Sequence, residues 1–178
     1  MPTYVALLRG INVGGNRVIK MADLREVFVA ADAEDVATYI QSGNVVFTHA
    51  ARSEPTLAAE LEKRIAKAAG FPVPVVLRTA GQLARVIEDS PFPDADAGHL
   101  HVAFLAAGPQ ANAPTIDARA FAPERCAAVG RELYLYLPDG MGRSKLAAAI
   151  LARPKAIGAG GTARNWRTVL QLHRLALG

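Results

Sequence analysis

The chain has 178 residues, 51% hydrophobic and 20% charged, which suits one globular unit or two small subdomains sharing a core and excludes wholesale disorder. No apolar run approaches the ~20 residues that span a bilayer, the N-terminus lacks the regions of a signal peptide, and the single Cys126 excludes an internal disulfide, so a cytoplasmic protein is expected. The net charge of +4 is uneven: residues 1–20 and 141–178 hold ten of the 20 basic and none of the 16 acidic residues, which predicts an electropositive surface if the two ends meet.

In chain order, "TYVALLRG" reads as a buried strand ending at Gly10. "MADLREVFVAA" puts Met21, Leu24, Val27 and Phe28 on one helical face. "DVATYIQSGNVVFTH" reads as two strands around a two-residue turn, Ser42-Gly43. "EPTLAAELEKRIAKAAG" is a helix with Pro55 near its start, Leu57, Leu61 and Ile65 as its stripe, and Gly70 as its stop. "PVPVVLR" is a strand. The order β-α-β-β-α-β is that of a ferredoxin-like plait.

A helix over "TAGQLARVIEDS" follows, then the strand "LHVAFLAAG". Residues 108–123 read as a long connection with a helical turn near "IDARAF". "RCAAVGRELYLYLP" reads as a hairpin turning at Gly130-Arg131, "SKLAAAILARP" as a helix, and "TARNWRTVLQLHRLAL" as a terminal helix. The second half echoes the first without a visible sequence repeat. The expected fold is therefore α+β: two ferredoxin-like α/β plaits of βαββαβ type packed together, 1–79 and 80–178, the second carrying the C-terminal helix.

Four segments stand out as candidate ligand-binding loops. In "RGINVGGNR", Gly10 and Gly15 have the glycine spacing of a P-loop. Asn16 and Arg17 replace its Lys and Ser/Thr, which excludes Walker-type hydrolysis. The pattern G-x-x-x-G-G also fails the dinucleotide fingerprint. What remains is a ten-residue strand-to-helix loop, longer than the usual ~2–6, with Arg9, Arg17 and Lys20 around its N–H groups. Gly14 and Gly15 would admit a close ligand, and Asn12 and Asn16 would orient it. In "QSGN", Gln41 and Asn44 add amide groups. In "DGMGRSKL", Gly142 precedes Arg143, Ser144 and Lys145. Ser144 is a plausible N-cap, and cations in a first helical turn oppose the dipole unless an external anion joins them. In "GGTARNWR", Thr162 would cap the last helix and Arg164, Asn165 and Arg167 would fill its first turns. Trp166 belongs with the core residues Val169 and Leu170.

Other chemistries lack support. His99 and His101 alternate on a strand with no further ligand at zinc spacing, so no metal is expected. Cys126 lies in an apolar strand. Ser42 and Ser144 have no visible base. An RNA-recognition plait would stack bases on aromatics where Asn44 and Val46 stand.

Together "YVALLRGINVGGN", "KMADLR", "TYIQSGNVVF", "LYLPDGMGRSKL" and "TARNWRTVLQL" resemble the bacterial family catalogued as domain of unknown function 1697, from about Tyr4 to Leu172. The resemblance implies a fold of two ferredoxin-like plaits. It brings no established activity, substrate or cofactor, and hence no catalytic residues.

The reading that follows is a binding protein for an anionic, phosphorylated ligand held in a basic, Gly/Asn-rich cleft. The ligand is a phosphorylated small molecule or a nucleic-acid backbone. An enzyme of unknown reaction on such a substrate is the alternative. It would need a carboxylate, from Asp23, Glu34 or Asp139, folded into the basic loops. A structural or protein-interaction module with solvated loops is the third reading. Cofactor and oligomeric state are not read from the sequence.

Overall fold

In the computed structural model, residues 1–107, 117–151 and 161–178 are described. The chain forms two compact units, Met1–Ala84 with Leu172–Gly178, and Arg85–Gln171. The architecture is mixed α+β: two four-stranded antiparallel sheets with helices, including a C-terminal helix.

The first unit runs β1 (Thr3–Leu8), α1 (Met21–Val29), β2 (Glu34–Tyr39), β3 (Asn44–Thr48), α2 (Glu54–Ala69) and β4 (Val75–Thr79), with strand order β2-β3-β1-β4. Alternation along the strands sends Tyr4, Ala6, Leu8, Val45, Phe47, Val75 and Leu77 to one face, where they pack with Leu24 and Phe28 of α1 and Leu57, Leu61 and Ile65 of α2. Phe47 is the centre of that core, edge-on to Phe28 at 5.0 Å and stacked on Tyr4 at 5.8 Å. The expected limits of α2 hold: Ser53 Oγ accepts from Thr56 N–H, Pro55 sits in the first turn, and Gly70 ends the helix at φ +83°.

The helix α3 (Ala80–Glu88) leads into the second unit, which contains β5 (Leu100–Phe104), a 3₁₀ turn (Ala118–Phe121), β6 (Arg125–Val129), β7 (Glu132–Tyr136), a second 3₁₀ turn (Met141–Arg143), α4 (Lys145–Leu151) and β8 (Thr162–Asn165). Its strand order is β6-β7-β5-β8. Leu146, Ala147 and Ile150 of α4 pack on Leu105, Leu135 and Leu137. The last helix, α5, spans Trp166–Leu177.

Two local expectations are corrected. The first hairpin does not turn on Ser42-Gly43 alone, because the strands stop at Tyr39 and Asn44 and leave Ile40–Gly43 between them. "TARN" is not the start of the terminal helix but strand β8, which pairs with β5; α5 begins at Trp166. The turn at Gly130-Arg131 and the helical turn in "IDARAF" stand as read. The end of the "SKLAAAILARP" helix and most of the 108–123 connection lie outside the described residues.

The echo between the halves is in register. Val5 pairs with Arg78 in the first sheet as Val102 pairs with Arg164 in the second, and Leu7 with Asn44 as Phe104 with Glu132. Past these pairs Leu8 N–H donates to Gly43 O and Leu105 N–H to Arg131 O, each at 2.9 Å. Arg78, Arg164, Asn44 and Glu132 are all buried. Both arginines donate Nη1 to the carbonyl of the preceding residue.

Candidate functional site

The segment after β1 is a tongue. Asn16 N–H donates to Val13 O (3.1 Å) and Asn12 N–H to Arg17 O (3.1 Å), so residues 12–17 fold back as a miniature hairpin. Gly14 and Gly15 occupy its two central positions at φ +59° and +76°, the signs of a type I′ turn. The glycine pair is therefore required by the turn itself. The tip is solvent-facing: Gly14, Gly15, Asn16 and Arg17 are exposed, and Val13 and Val18 are 67% and 63% exposed.

Asn12 fastens the tongue at its base. Its Oδ1 accepts from Ile19 N–H (2.9 Å), and its Nδ2 donates to Ile19 O (3.0 Å) and to Gln41 O (2.8 Å). The last bond ties the tongue to the Ile40–Gly43 turn. A Cβ on Gly43 would meet Ile11 Cδ1 at 2.8 Å and Leu8 Cβ at 2.9 Å, which measures how closely the two segments pack. Arg9–Arg17 and Gln41–Asn44 thus share one end of the first sheet. Ile40 beside this junction is at φ +49°, a left-handed conformation that a β-branched residue adopts only under strain of about 1–2 kcal/mol.

The individual side chains divide. Asn44 is fully buried, donating Nδ2 to Tyr39 O (3.0 Å) and Ser42 Oγ (3.1 Å), and so holds the turn. Arg17 lays its guanidinium over Phe71, 4.9 Å from the ring centre, and donates to Pro72 O, which pins the tongue to the α2–β4 connection. Arg9 and Lys20 form no side-chain hydrogen bond or ion pair among the described residues, and Asn16 and Gln41 leave their amide groups at the exposed surface.

Beside the return of the tongue lies a crevice of about 220 Å³ between α1 and α2. Leu24 and Val27 form one wall and Ile65, Ala68 and Ala69 the other; Val18, Ile19, Lys20 and Asp23 complete the lining. Asp23, like Lys20, is exposed and has no side-chain partner among the described residues.

In the second unit the expected loops look different. Gly142 and Arg143 lie exposed in a 3₁₀ turn, and Lys145 opens α4 exposed. Ser144 is the N-cap as expected, its Oγ accepting from Ala147 N–H at 2.8 Å. The anion that this terminus calls for comes from the chain itself: Glu124 Oε2 accepts from Leu146 N–H at 2.9 Å. An external anion is not needed to account for the cations there. Arg164 is also not a first-turn cation. It is buried in β8, donates to Thr162 Oγ1 (2.7 Å) and Ala163 O (2.8 Å), and burial brings its pKa down to about 10. Asn165 is the N-cap of α5, its Oδ1 accepting from Thr168 N–H at 2.8 Å. Trp166 is partly buried with its ring 6.5 Å from Tyr134; of its expected core companions Val169 is buried, but Leu170 is 37% exposed.

Among the described residues no three His, Cys, Asp or Glu come together to hold a metal, and no helix is long and apolar enough to cross a membrane. Burial pushes the Cys126 thiol up to about 11, away from reactivity. Among the described residues His101 Nδ1 is buried without a hydrogen-bond partner, and burial, partly offset by an interaction with the His99 backbone, lowers the imidazole pKa below 6.5. The unfolded chain then binds the proton more readily, so stability should be full above pH 6.5 and fall as pH drops through the folded-state value. Denaturant titrations from pH 8 to pH 5 should show this slope, and His101→Leu should flatten it. An equal slope in both proteins would contradict the assignment.

Sequence reading overlooked Glu124 and Arg78. Glu124 acts on a helix 21 positions away and carries no local signal. Arg78 looks like the polar end of a strand, yet it is 1% exposed.

The fold has a solved counterpart. The structure of a conserved bacterial protein from Streptococcus pneumoniae, SP0830, aligns over 100% of this chain and 99% of its own, with a TM-score of 0.78 and 22% identity. No curated protein matches the chain. The family described as "Protein of unknown function (DUF1697)" matches residues 1–134.

Proposed function

The chain belongs to that family of proteins of unknown function, and within it we propose that the tongue of the first unit is a preorganised binding site for an anionic, phosphorylated ligand. The observation that carries the reading is the junction of tongue and turn. Asn12 bonds both the return of the tongue and Gln41 O, so an exposed glycine-rich loop is held in one conformation instead of being left free. Loops fastened in this way lose little entropy when a ligand arrives. Arg9 and Lys20 supply charge without a competing internal partner, and Asn16 and Gln41 supply amide groups at the surface. The second-unit residues Gly142, Arg143, Ser144, Lys145, Arg164 and Asn165 have weaker claims, since Ser144, Arg164 and Asn165 already serve the fold.

Each sheet with its helices is read as a ferredoxin-like plait, on the strand orders β2-β3-β1-β4 and β6-β7-β5-β8. The single Cys126 suits a reducing, cytoplasmic compartment. An enzymatic role would rest on Asp23, the one carboxylate lining the crevice beside Lys20; Glu34 pairs with Thr48 at the opposite end of the β2–β3 hairpin from the turn.

The test is thermal unfolding with inorganic phosphate, small phosphate esters and single-stranded RNA at millimolar concentration. A ligand at ten times its Kd should raise Tm by roughly 3–6 °C in a chain of this size. The double variant Arg9→Ala/Lys20→Ala should lose the shift. A steep loss of RNA affinity with added salt would select a nucleic-acid backbone. No shift with any of these ligands would remove the reading.

A further inference from the structure

The crevice between α1 and α2 carries the anionic site further, because it says what the rest of the ligand looks like. Its apolar side chains are Leu24, Val27, Ile65, Ala68 and Ala69, with Val18 on the tongue side, and polar atoms make up nearly half of the lining. Its two polar side chains are both ionic. Lys20 and Asp23 line it three residues apart, yet they are paired neither with each other nor with any other described residue. An apolar cavity of ~150 Å³ accepts benzene, so about 220 Å³ takes a phenyl ring or a branched chain of similar size. A nucleoside, with base and sugar, has more than twice the non-hydrogen atoms of a phenyl ring, so part of it would extend out of the open crevice into solvent.

We propose that the ligand of the tongue site is a small amphipathic phosphate ester, its anionic end held beside Lys20 and its apolar body seated in the α1–α2 crevice. The inference rests on the tongue reading above. Lys20 is common to both parts, since it ends the tongue and lines the crevice. Asp23 adds a further requirement. A carboxylate there repels a second anionic group and accepts a hydrogen bond, so the ligand should carry a hydroxyl or amine near its charged end. Inorganic phosphate should bind as a fragment only.

The experiment compares the full chain's affinity for inorganic phosphate, phenyl phosphate and benzyl alcohol by calorimetry, for the wild type, Ala68→Leu and Lys20→Ala. Ala68 is exposed and helical, so leucine is accommodated by the fold while it narrows the crevice. Phenyl phosphate should bind about tenfold or more tighter than phosphate, from burial of the ring. Ala68→Leu should erase that margin and leave phosphate binding intact, and Lys20→Ala should weaken both anions. Equal binding of phosphate and phenyl phosphate would overturn the crevice assignment and leave the tongue site standing. A margin that survives Ala68→Leu would also overturn it. Failure of both anions to bind would overturn the tongue site, and this inference with it. Chemical shift changes of the Ala69 amide on titration with phenyl phosphate, absent with phosphate, give a second readout should Ala68→Leu fail to fold.

Discussion

Gly43→Ala should lower stability by about 2–4 kcal/mol, the sum of a left-handed alanine and a forced contact in a packed site. Gly43 sits at φ +88°, and its new Cβ would lie 2.9 Å from Leu8 Cβ, an atom fixed to a central strand. The contact with Ile11 Cδ1 at 2.8 Å is softer, because that methyl ends a flexible side chain. The two contributions can be separated. Ile11→Val removes the methyl, so Gly43→Ala should cost less in the Ile11→Val background, with the remainder belonging to the backbone, Leu8 and the Cγ1 position of residue 11, 3.0 Å away, which valine retains. Thermal unfolding should show a fall of roughly 5–15 °C for the single variant. A change below about 1 kcal/mol would mean that the turn can leave the tongue at little cost, and that the junction is not rigid.

The second large effect is expected at Asn12. Asn12→Ala removes three side-chain hydrogen bonds and leaves Ile19 N–H without its acceptor beside a buried side chain, a loss of about 2–3 kcal/mol. Two further substitutions identify the cause. Asn12→Gly suits the backbone at φ +54° better than alanine and should recover about 1 kcal/mol without restoring the fastening. Asn12→Asp keeps the acceptor for Ile19 N–H but aims a carboxylate oxygen at Ile19 O and Gln41 O, so it should be no better than alanine. Hydrogen exchange at Arg17 and Asn16 should accelerate in all three. An alanine variant within about 0.5 kcal/mol of wild type would show that the tongue is held by Arg17 on Phe71 and Pro72 instead.

The elements with local signals were legible in the sequence. Leu57, Leu61 and Ile65 announce α2, with Pro55 and Gly70 as its limits, and all three leucine and isoleucine side chains are in the core. Gly14-Gly15 was legible as a flexible pair but not as a type I′ turn, because Asn12 and Arg17 on either side have no apolar alternation to suggest a hairpin. The meeting of the tongue with Gln41–Asn44 was beyond the sequence, since it depends on strand register. Leu8 must pair with Gly43 for Asn12 to reach Gln41. β8 was missed for a different reason. "TARN" is four residues long with a buried arginine, and the helical spacing of Val169 and Leu172 extends backward over it without contradiction. The capping of α4 by Glu124 was illegible because a carboxylate that neutralises a helix end can come from anywhere in the chain.

The repeated register gives the molecule an internal control. A feature present at matching positions of both sheets belongs to the pattern the two sheets share. The buried arginines opposite Val5 and Val102, and the bonds from Leu8 and Leu105 to the neighbouring turn, are of that kind. A feature present in one half alone lies outside that shared pattern and can serve either the fold, as the Glu124 cap of α4 does, or a site. The second hairpin closes on Gly130 and Arg131, whereas the first spends Ile40–Gly43 on the same task and holds Ile40 in a costly conformation. Replacing Ile40–Gly43 by the Gly-Arg pair of its counterpart, with stability and ligand binding measured together, weighs what the longer turn gives the fold through Asn12 against what it gives the site.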